Sequence, residues 1–385
     1  MNSKCFKKVF SRRTGTLVAV GEHTRSVAAG GASGQTAGHR AAMTLTSYVG
    51  VLGLSALCCQ LAWAQDLPSG AAVQHGQVAV VQSSPTQLNI VQGSDKAIVN
   101  WQSFNIGAGA RVDVQQPSAS SVLLNRVVGG QASAILGQLN ANGRVVLVNP
   151  NGVFFGKDAS VSATSFTASS LGLSDESFLS GEMRFEAQGA GGEVRNQGLI
   201  STRGGYVALL GATVNNEGRI ETQGGAALLG AAQAIRVPLG GSGRIKLELT
   251  AGQLNAHVAN NKTGTIVTQG GQVYMQAAAL QDAVASIVQS GGIDTTGQQG
   301  GAVHVLADGG RIKVDGSITA NSTGQDDQGQ RRAGGASTLA ATRTRTLWRR
   351  WETPAVRTWR VRADLWRRRA GVSSLMTLPF GRGIG

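Results

Sequence analysis

Three histidines, His75, His257 and His304, and a scatter of carboxylates are the groups from which any catalytic or metal site between residues 65 and 325 would have to be built. Metal ligation needs histidine or carboxylate partners at set spacings, and none of the three histidines has one. Cleavage of acidic polysaccharides calls for clustered carboxylates, Ca²⁺ ligands or basic residues on one face, whereas the acids here are dispersed. Asp175-Glu176 and Asp308-Gly309-Gly310 read as turn acids, and Asp113, in Arg111-Val112-Asp113-Val114, as a solvent-facing residue of an alternating strand. Cys5, Cys58 and Cys59 all fall in the first 64 residues, so the rest of the chain has no thiol nucleophile, cysteine metal site or disulfide framework. The many Gly-rich strings lack the lysine and the strand-to-helix context of a phosphate loop. No cofactor is expected, and no residue is assigned a catalytic role.

Charge divides the 385 residues into three parts. Lys plus Arg against Asp plus Glu is 7 to 1 over residues 1–64, 15 to 16 over 65–325 and 13 to 4 over 326–385. The net charge of +14 therefore belongs to the two ends, and the near-neutral middle argues against a nucleic-acid partner. At 261 residues the middle is long enough to bury a large core without staples.

What remains is turns and strands. Asn149-Pro150-Asn151-Gly152 is a turn in which Pro150 fixes φ, while Asn151 and Gly152 tolerate left-handed geometry. A strand from Arg144 to Val148 enters it and one from Val153 to Phe155 leaves. Further on, NQGLISTRGGYVALLGATV from Asn196 is followed by NEGRIETQGGAALLGAAQAI from Asn216, an offset of 20 residues. Gly198, Ile200, Thr202, Gly204 and Gly205 align with Gly218, Ile220, Thr222, Gly224 and Gly225. The same phrase returns at Gly264 to Gly271 and, loosened, at Gly292 to Thr295 with Gly300-Gly301.

Strands of four to six residues repeating at that period suit the coils of a solenoid. The expected fold is all-β, a right-handed single-stranded parallel β-helix with an N-terminal cap over residues 66–100. Ile200 is expected over Ile220 and Val207 at the level of Ala227. About twelve rungs, stacked at about 4.8 Å, are expected over residues 80–325. Ala-rich patches at 226–236 and 276–289 stay ambiguous between helix and strand.

The N-terminus reads as a targeting segment. Leu45 to Leu57 is an apolar stretch, and Ala62-Trp63-Ala64-Gln65 is a small-x-small site, so signal peptidase is expected to cut between Ala64 and Gln65 after passage through the Sec translocase. A retained anchor or a lipoprotein cysteine at Cys58 are the alternatives, although bulky Leu57 disfavours the second. The basic residues 1–40 that precede the signal at 41–64 resemble the extended signal-peptide region of very large exoproteins of Gram-negative bacteria. The similarity rests on the aromatic-basic start, Gly15-Thr16-Leu17-Val18-Ala19-Val20, and Glu22 followed by Arg25-Ser26. A start codon placed upstream of an ordinary signal is the alternative.

The stretch from Asn100 to Ala159 resembles the secretion (TPS) domain of the filamentous haemagglutinin family, the exoproteins of two-partner secretion. The matching phrases are Asn100 to Gly107 (NWQSFNIG), Leu124-Asn125-Arg126-Val127, Ile135 to Gly143 with Asn140 and Asn142, and Asn149-Pro150-Asn151-Gly152-Val153-Phe154-Phe155-Gly156. The likeness extends over about residues 66–325, a secretion domain with the start of a β-helical shaft. It implies export to the cell surface or beyond through an outer-membrane Omp85-like TpsB transporter, whose periplasmic POTRA modules engage the chain while it is extended or partly folded. It also implies that Asn125, Arg126, Asn140, Asn142, Gly143, Asn149, Pro150, Asn151, Gly152 and Gly156 serve recognition or folding. A purely structural turn at 149–152 is the competing reading.

The resemblance further implies a large adhesin or contact-dependent inhibition protein with a host-cell or neighbouring-cell receptor. Two other classes compete: a self-sufficient β-helix whose face binds glycans, and a β-helix hydrolase. After residue 325 the composition breaks, with 13 arginines, no lysine and Trp348, Trp351, Trp359 and Trp366. This tail, 326–385, reads as frameshifted or disordered sequence that truncates a longer exoprotein. An Arg/Trp membrane or nucleic-acid segment is the other reading.

Overall fold

The computed structural model describes residues 66–189, 191–237, 247–252, 255–280, 283–325 and 334–342, with isolated strands at Phe6–Ser11, Thr16–Gly21 and Thr377–Leu378. The Ala64-Gln65 site, the three cysteines and most of the basic tail lie outside the described residues. Phe6–Ser11 and Thr16–Gly21 pair as an antiparallel hairpin within a separate N-terminal unit, Met1–Ser55.

From residue 87 onward the chain winds as a parallel β-helix with three sheets. The first runs from Gln87–Gln92 to Ser317–Thr319, the second from Lys96–Trp101 to Ala336–Thr342, and the third from Ser133–Ile135 to Gly310–Val314. Each strand pairs in parallel with its counterpart one turn of chain away, which is what short alternating segments separated by Gly corners produce. The cap departs from this, as do a covering sheet and the antiparallel pairing of Thr377–Leu378 with Ala336–Thr342. In the cap Ala72–His75 runs antiparallel to Lys96–Trp101, and Val78–Ser84 antiparallel to Gln87–Gln92. The cap is therefore shorter than the expected 66–100, because residues 87–101 already form the first rung.

Alternation in the sequence becomes columns inside the coil. In the first sheet Leu88, Val112, Leu139, Val161, Ile200, Ile220, Ile266, Ile293 and Ile318 stand in register, one per rung. Ile200 pairs with Ile220 and Val207 with Ala227, as the repeat requires. The third sheet carries a column that changes character: Ile135 and Phe155 give way to Asn196, Asn216, Asn260 and Gln289. All four amide side chains are fully buried. Asn196 donates to Asn216, Asn216 to Asn260 and Asn260 to Gln289 at 2.8, 2.8 and 2.9 Å, so each amide is satisfied by its neighbour one rung away.

The rung count differs from expectation. Among the described residues nine parallel strands build the second sheet, eight of them within residues 80–325, where about twelve rungs are expected. Paired residues along it are separated by 26, 22, 21, 41, 20, 46, 30 and 34 positions, so the 20-residue step holds for one rung only. At about 4.8 Å per rung the nine span about 40 Å.

Two of the long steps are excursions. Gly172–Leu173, Arg184–Glu186, Ala234–Arg236 and Glu248–Thr250 form a four-stranded antiparallel sheet, with helix α1 (Asp175–Ser180) between the first two. Leu171, Leu173, Phe178, Met183, Phe185, Ile235 and Leu247 join Ile98, Leu124, Val146, Ala208, Leu210 and Leu228 in a second hydrophobic cluster, distinct from the core inside the coil. The second sheet is thus buried on both faces, which is why Tyr206–Gly211 and Ala226–Ala231 are buried at every position. Asp175 and Glu176 occupy the first turn of α1 behind the Ser174 cap, where they complement the helix dipole, and are not turn acids.

Both Ala-rich patches are strands where described: Ala226–Ala231, Ala234–Arg236, Gln272–Ala278 and Ala285–Gln289. The coil also outlasts residue 325. Ala336–Thr342 pairs with Ala302–Asp308 from Ala302↔Ala336 to Asp308↔Thr342, behind a Gly334-Gly335 corner equivalent to Gly300-Gly301.

Candidate functional site

The turn at 149–152 closes through the Gly152 N–H, which donates to the Asn149 carbonyl at 2.9 Å. Gly152 takes φ +112°, while Asn151 keeps a negative φ, so only one of the two residues uses left-handed freedom. A Cβ at Gly152 would press on the Glu193 carbonyl of the next rung at 2.8 Å. Asn149 is completely buried and uses both ends of its amide. Its Nδ2 donates to the Gln131 carbonyl at 2.9 Å and the Ser133 hydroxyl at 3.0 Å, and its Oδ1 accepts from the Asn151 N–H at 3.0 Å. Asn151 reaches back to the Gly129 carbonyl at 2.9 Å, and the Pro150 carbonyl accepts from the Gly192 N–H at 2.7 Å. The turn is a staple between the rungs on either side of it.

The other signature residues do the same at separate places. Asn125 lies in an inward column of the second sheet between Val99 and Leu147, and its Oδ1 accepts from Trp101 Nε1 at 3.0 Å. Arg126, on the opposite face, donates to the Leu173 carbonyl at 2.8 Å and pairs with Asp175, fastening α1 to the coil. Asn140 stands on the outer face of the first sheet and donates to Asp113 at 2.9 Å. Asp113 also holds Arg111 at 2.7 Å and Gln87 at 3.1 Å, so it belongs to a ladder across three rungs.

At the next corner Asn142 grips the Gln116 backbone with both amide atoms, accepting from its N–H at 2.7 Å and donating to its carbonyl at 2.8 Å. Gly143 beside it faces Gln116 and the Ser118 carbonyl too closely for a Cβ. Gly156 packs where a Cβ would meet Leu136 at 2.7 Å.

These residues do not converge. Asn149, Pro150, Asn151 and Gly152 form one cluster with Gln131 and Ser133, but Asn125, Arg126, Asn140 and Asn142 occupy other corners and both faces of the coil. Their common property is that each ties one rung to another. Ser133, Gln116 and the amide column carry no motif in the sequence, and Trp101, part of the NWQSFNIG phrase and a candidate sugar-stacking aromatic, is instead a buried partner of Asn125. Their signal was polar or aromatic residues at inward positions of alternating strands.

Catalytic alternatives gain nothing from the geometry. Among the described residues no group of three or more His, Cys, Asp or Glu side chains could hold a metal ion. His75 is exposed, His304 stacks on Tyr274 with ring centres 4.7 Å apart, and burial lowers the pKa of His257. Trp101, Tyr206 and Tyr274, the aromatics on which a sugar-binding face would rely, are buried. A polar groove over the first sheet, about 570 Å³ and lined by Gln87, Asn89, Arg111, Asp113, Asn140 and Arg203, is open to solvent.

Comparison with known proteins agrees with this architecture. The family model described as the TPS secretion domain matches residues 64–325, and that of the extended signal peptide of the type V secretion system matches residues 1–51. The heme/hemopexin-binding protein of Haemophilus influenzae is 37% identical over 134 residues in one sequence and 39% over 129 residues in another. Those stretches are 35% and 34% of this chain but only 14% and 13% of the relatives' length. The crystal structure of the HMW1 secretion domain from Haemophilus influenzae superposes with a TM-score of 0.55 at 30% identity, covering 70% of this chain and 75% of that one. A three-sheet parallel coil, rungs stapled by the NPNG turn and a matching leader together place the chain in the TPS secretion-domain family, the exported domains of Gram-negative two-partner secretion exoproteins.

Proposed function

We propose that residues 65–325 are the export-recognition domain of a larger adhesin-like or contact-dependent inhibition exoprotein, and that its signature residues act by building rungs. The observation that carries this is that their side chains are buried in the coil or bonded to another rung, although the buried Asn125 Nδ2 has no partner. Asn149 and Asn125 are wholly buried, and Asn142 and Asn151 are hydrogen-bonded to the neighbouring rung. A transporter reading the folded surface would not meet the two buried amides.

In this reading the Sec machinery delivers the chain, signal peptidase cuts between Ala64 and Gln65, and an Omp85-like TpsB transporter engages the unfolded domain through its periplasmic POTRA modules. Folding outside then biases movement outward, because each added rung removes apolar surface from water at about 25 cal/mol per Å². No catalytic step and no nucleotide are invoked. The tail beyond Thr342 has no part in export, and receptor binding belongs to sequence downstream of this domain in longer family members.

Replacing residues 66–160 by unrelated sequence of equal length, in cells that carry the partner transporter, should leave the protein in the periplasm. Continued appearance of the replaced chain in the medium or on the cell surface would overturn the reading.

A further inference from the structure

Sixteen asparagines occur in the chain, and only Asn142 and Asn151 precede a glycine. Asn-Gly is the dipeptide in which the next backbone nitrogen most easily reaches the side-chain amide, because glycine brings no Cβ to obstruct the approach. Both pairs sit at corners whose hydrogen bonds oppose that approach.

We infer that Asn142 and Asn151 are latent deamidation sites, held silent by the folded coil and reactive in the unfolded chain. The reaction begins when the glycine nitrogen, its proton lost to solvent base, attacks the asparagine Cγ. A C–N bond forms, the side-chain nitrogen leaves as ammonia, and a cyclic succinimide results. Water opens the ring at one carbonyl or the other to give aspartate or isoaspartate. One water is consumed and one ammonia released, with no change of oxidation state.

The fold blocks each site differently. At Asn142 both amide atoms are engaged by Gln116, at 2.7 and 2.8 Å, and attack would pyramidalise Cγ and break the planar pairing. At Asn151 the leaving nitrogen is held by the Gly129 carbonyl at 2.9 Å and by Asn149 Oδ1 at 3.2 Å. The attacking Gly152 N–H is itself committed to the Asn149 carbonyl at 2.9 Å. Asn149 is safe in either state, since Pro150 has no N–H to lose.

The products do not fit the corners. Aspartate at 142 sets a carboxylate oxygen against the Gln116 carbonyl, acceptor against acceptor. Isoaspartate adds a backbone carbon and shifts the strand Arg144–Val148, whose register fixes its inward residues. A chain that stays unfolded long enough to react is thereby marked against folding. This chemistry depends on the two corners alone and is independent of the transporter.

The test incubates the purified full-length chain at mildly alkaline pH in heavy-oxygen water, folded and in denaturant, and follows peptides by mass spectrometry. Label should enter at Asn142 and Asn151 in the denatured chain and at least about tenfold more slowly in the folded one, with Asn140, whose following Ala141 carries a Cβ, well behind them in the denatured chain and Asn149 unlabelled in both. Equal rates in the two states at either site would overturn the inference. For the products, Asn142→Asp should lower the denaturation midpoint, and an unchanged midpoint would remove the claim that the modified corner resists folding.

Discussion

Asn149 donates to the Ser133 hydroxyl at 3.0 Å inside the coil, a bond that joins the NPNG turn to the rung before it. Both side chains are buried, so the bond is part of the core and unavailable to a partner of the folded protein. Replacing Asn149 by alanine strands Ser133, the Gln131 carbonyl and the Asn151 N–H. The loss should be about 2–3 kcal/mol in denaturant unfolding, and a variant as stable as the parent would contradict the staple.

Gly225 and Gly109 offer a matched pair. A Cβ at Gly225 would overlap the Gly205 carbonyl oxygen one rung away, whereas one at Gly109 meets nothing within 4 Å despite its φ of +77°. Gly109→Ala should cost about 1–2 kcal/mol for the left-handed backbone, and Gly225→Ala about 3 kcal/mol because the clash is with backbone. Comparison of their unfolding midpoints checks the order.

The amide column makes a separate claim. Asn216→Ala leaves the Asn196 donor and the Asn260 acceptor buried without partners, for a loss of about 2–4 kcal/mol. Ile220→Ala in the aliphatic column should cost about 2–5 kcal/mol through the cavity it leaves. Equilibrium denaturation of both variants tests whether polar and apolar columns hold the rungs comparably.

Acid should loosen the third sheet first. The Arg195 guanidinium, 2.8 Å away, holds the Glu217 carboxyl below the usual carboxylate range, helped by Gln197 and Asn261 and opposed by partial burial. A depressed folded-state pKa means the contribution is complete above the unfolded carboxylate pKa and is lost as pH falls through the folded value. Glu217→Gln should therefore flatten the acid side of the stability profile, and a profile identical to the parent's would refute the assignment.

Much of the coil was legible from residues 196–225, because the aligned Ile200 and Ile220 already state the register. The rung count was not, since one clear 20-residue step was extended over steps as long as 46. The covering sheet left a mark in Tyr206 to Leu210, a strand apolar on both faces, and in Phe178, Met183 and Phe185, which had no rung to enter. Asn196 and Asn216 stood in the repeat but looked like corner residues, because inward and outward positions near a turn cannot be separated without the backbone. Gly334-Gly335 announced the last described rung, but the arginine-rich sequence after it drew the boundary too early.

The most direct test measures export and stability together for Asn142→Ala, Asn149→Ala and Ile220→Ala, secreted through the partner transporter and unfolded after purification from the periplasm. If signature residues act by building rungs, loss of export follows loss of stability in all three, with Ile220→Ala impaired although it lies outside the signature. Full stability with abolished export in Asn142→Ala or Asn149→Ala would contradict the account and assign those side chains to the transporter.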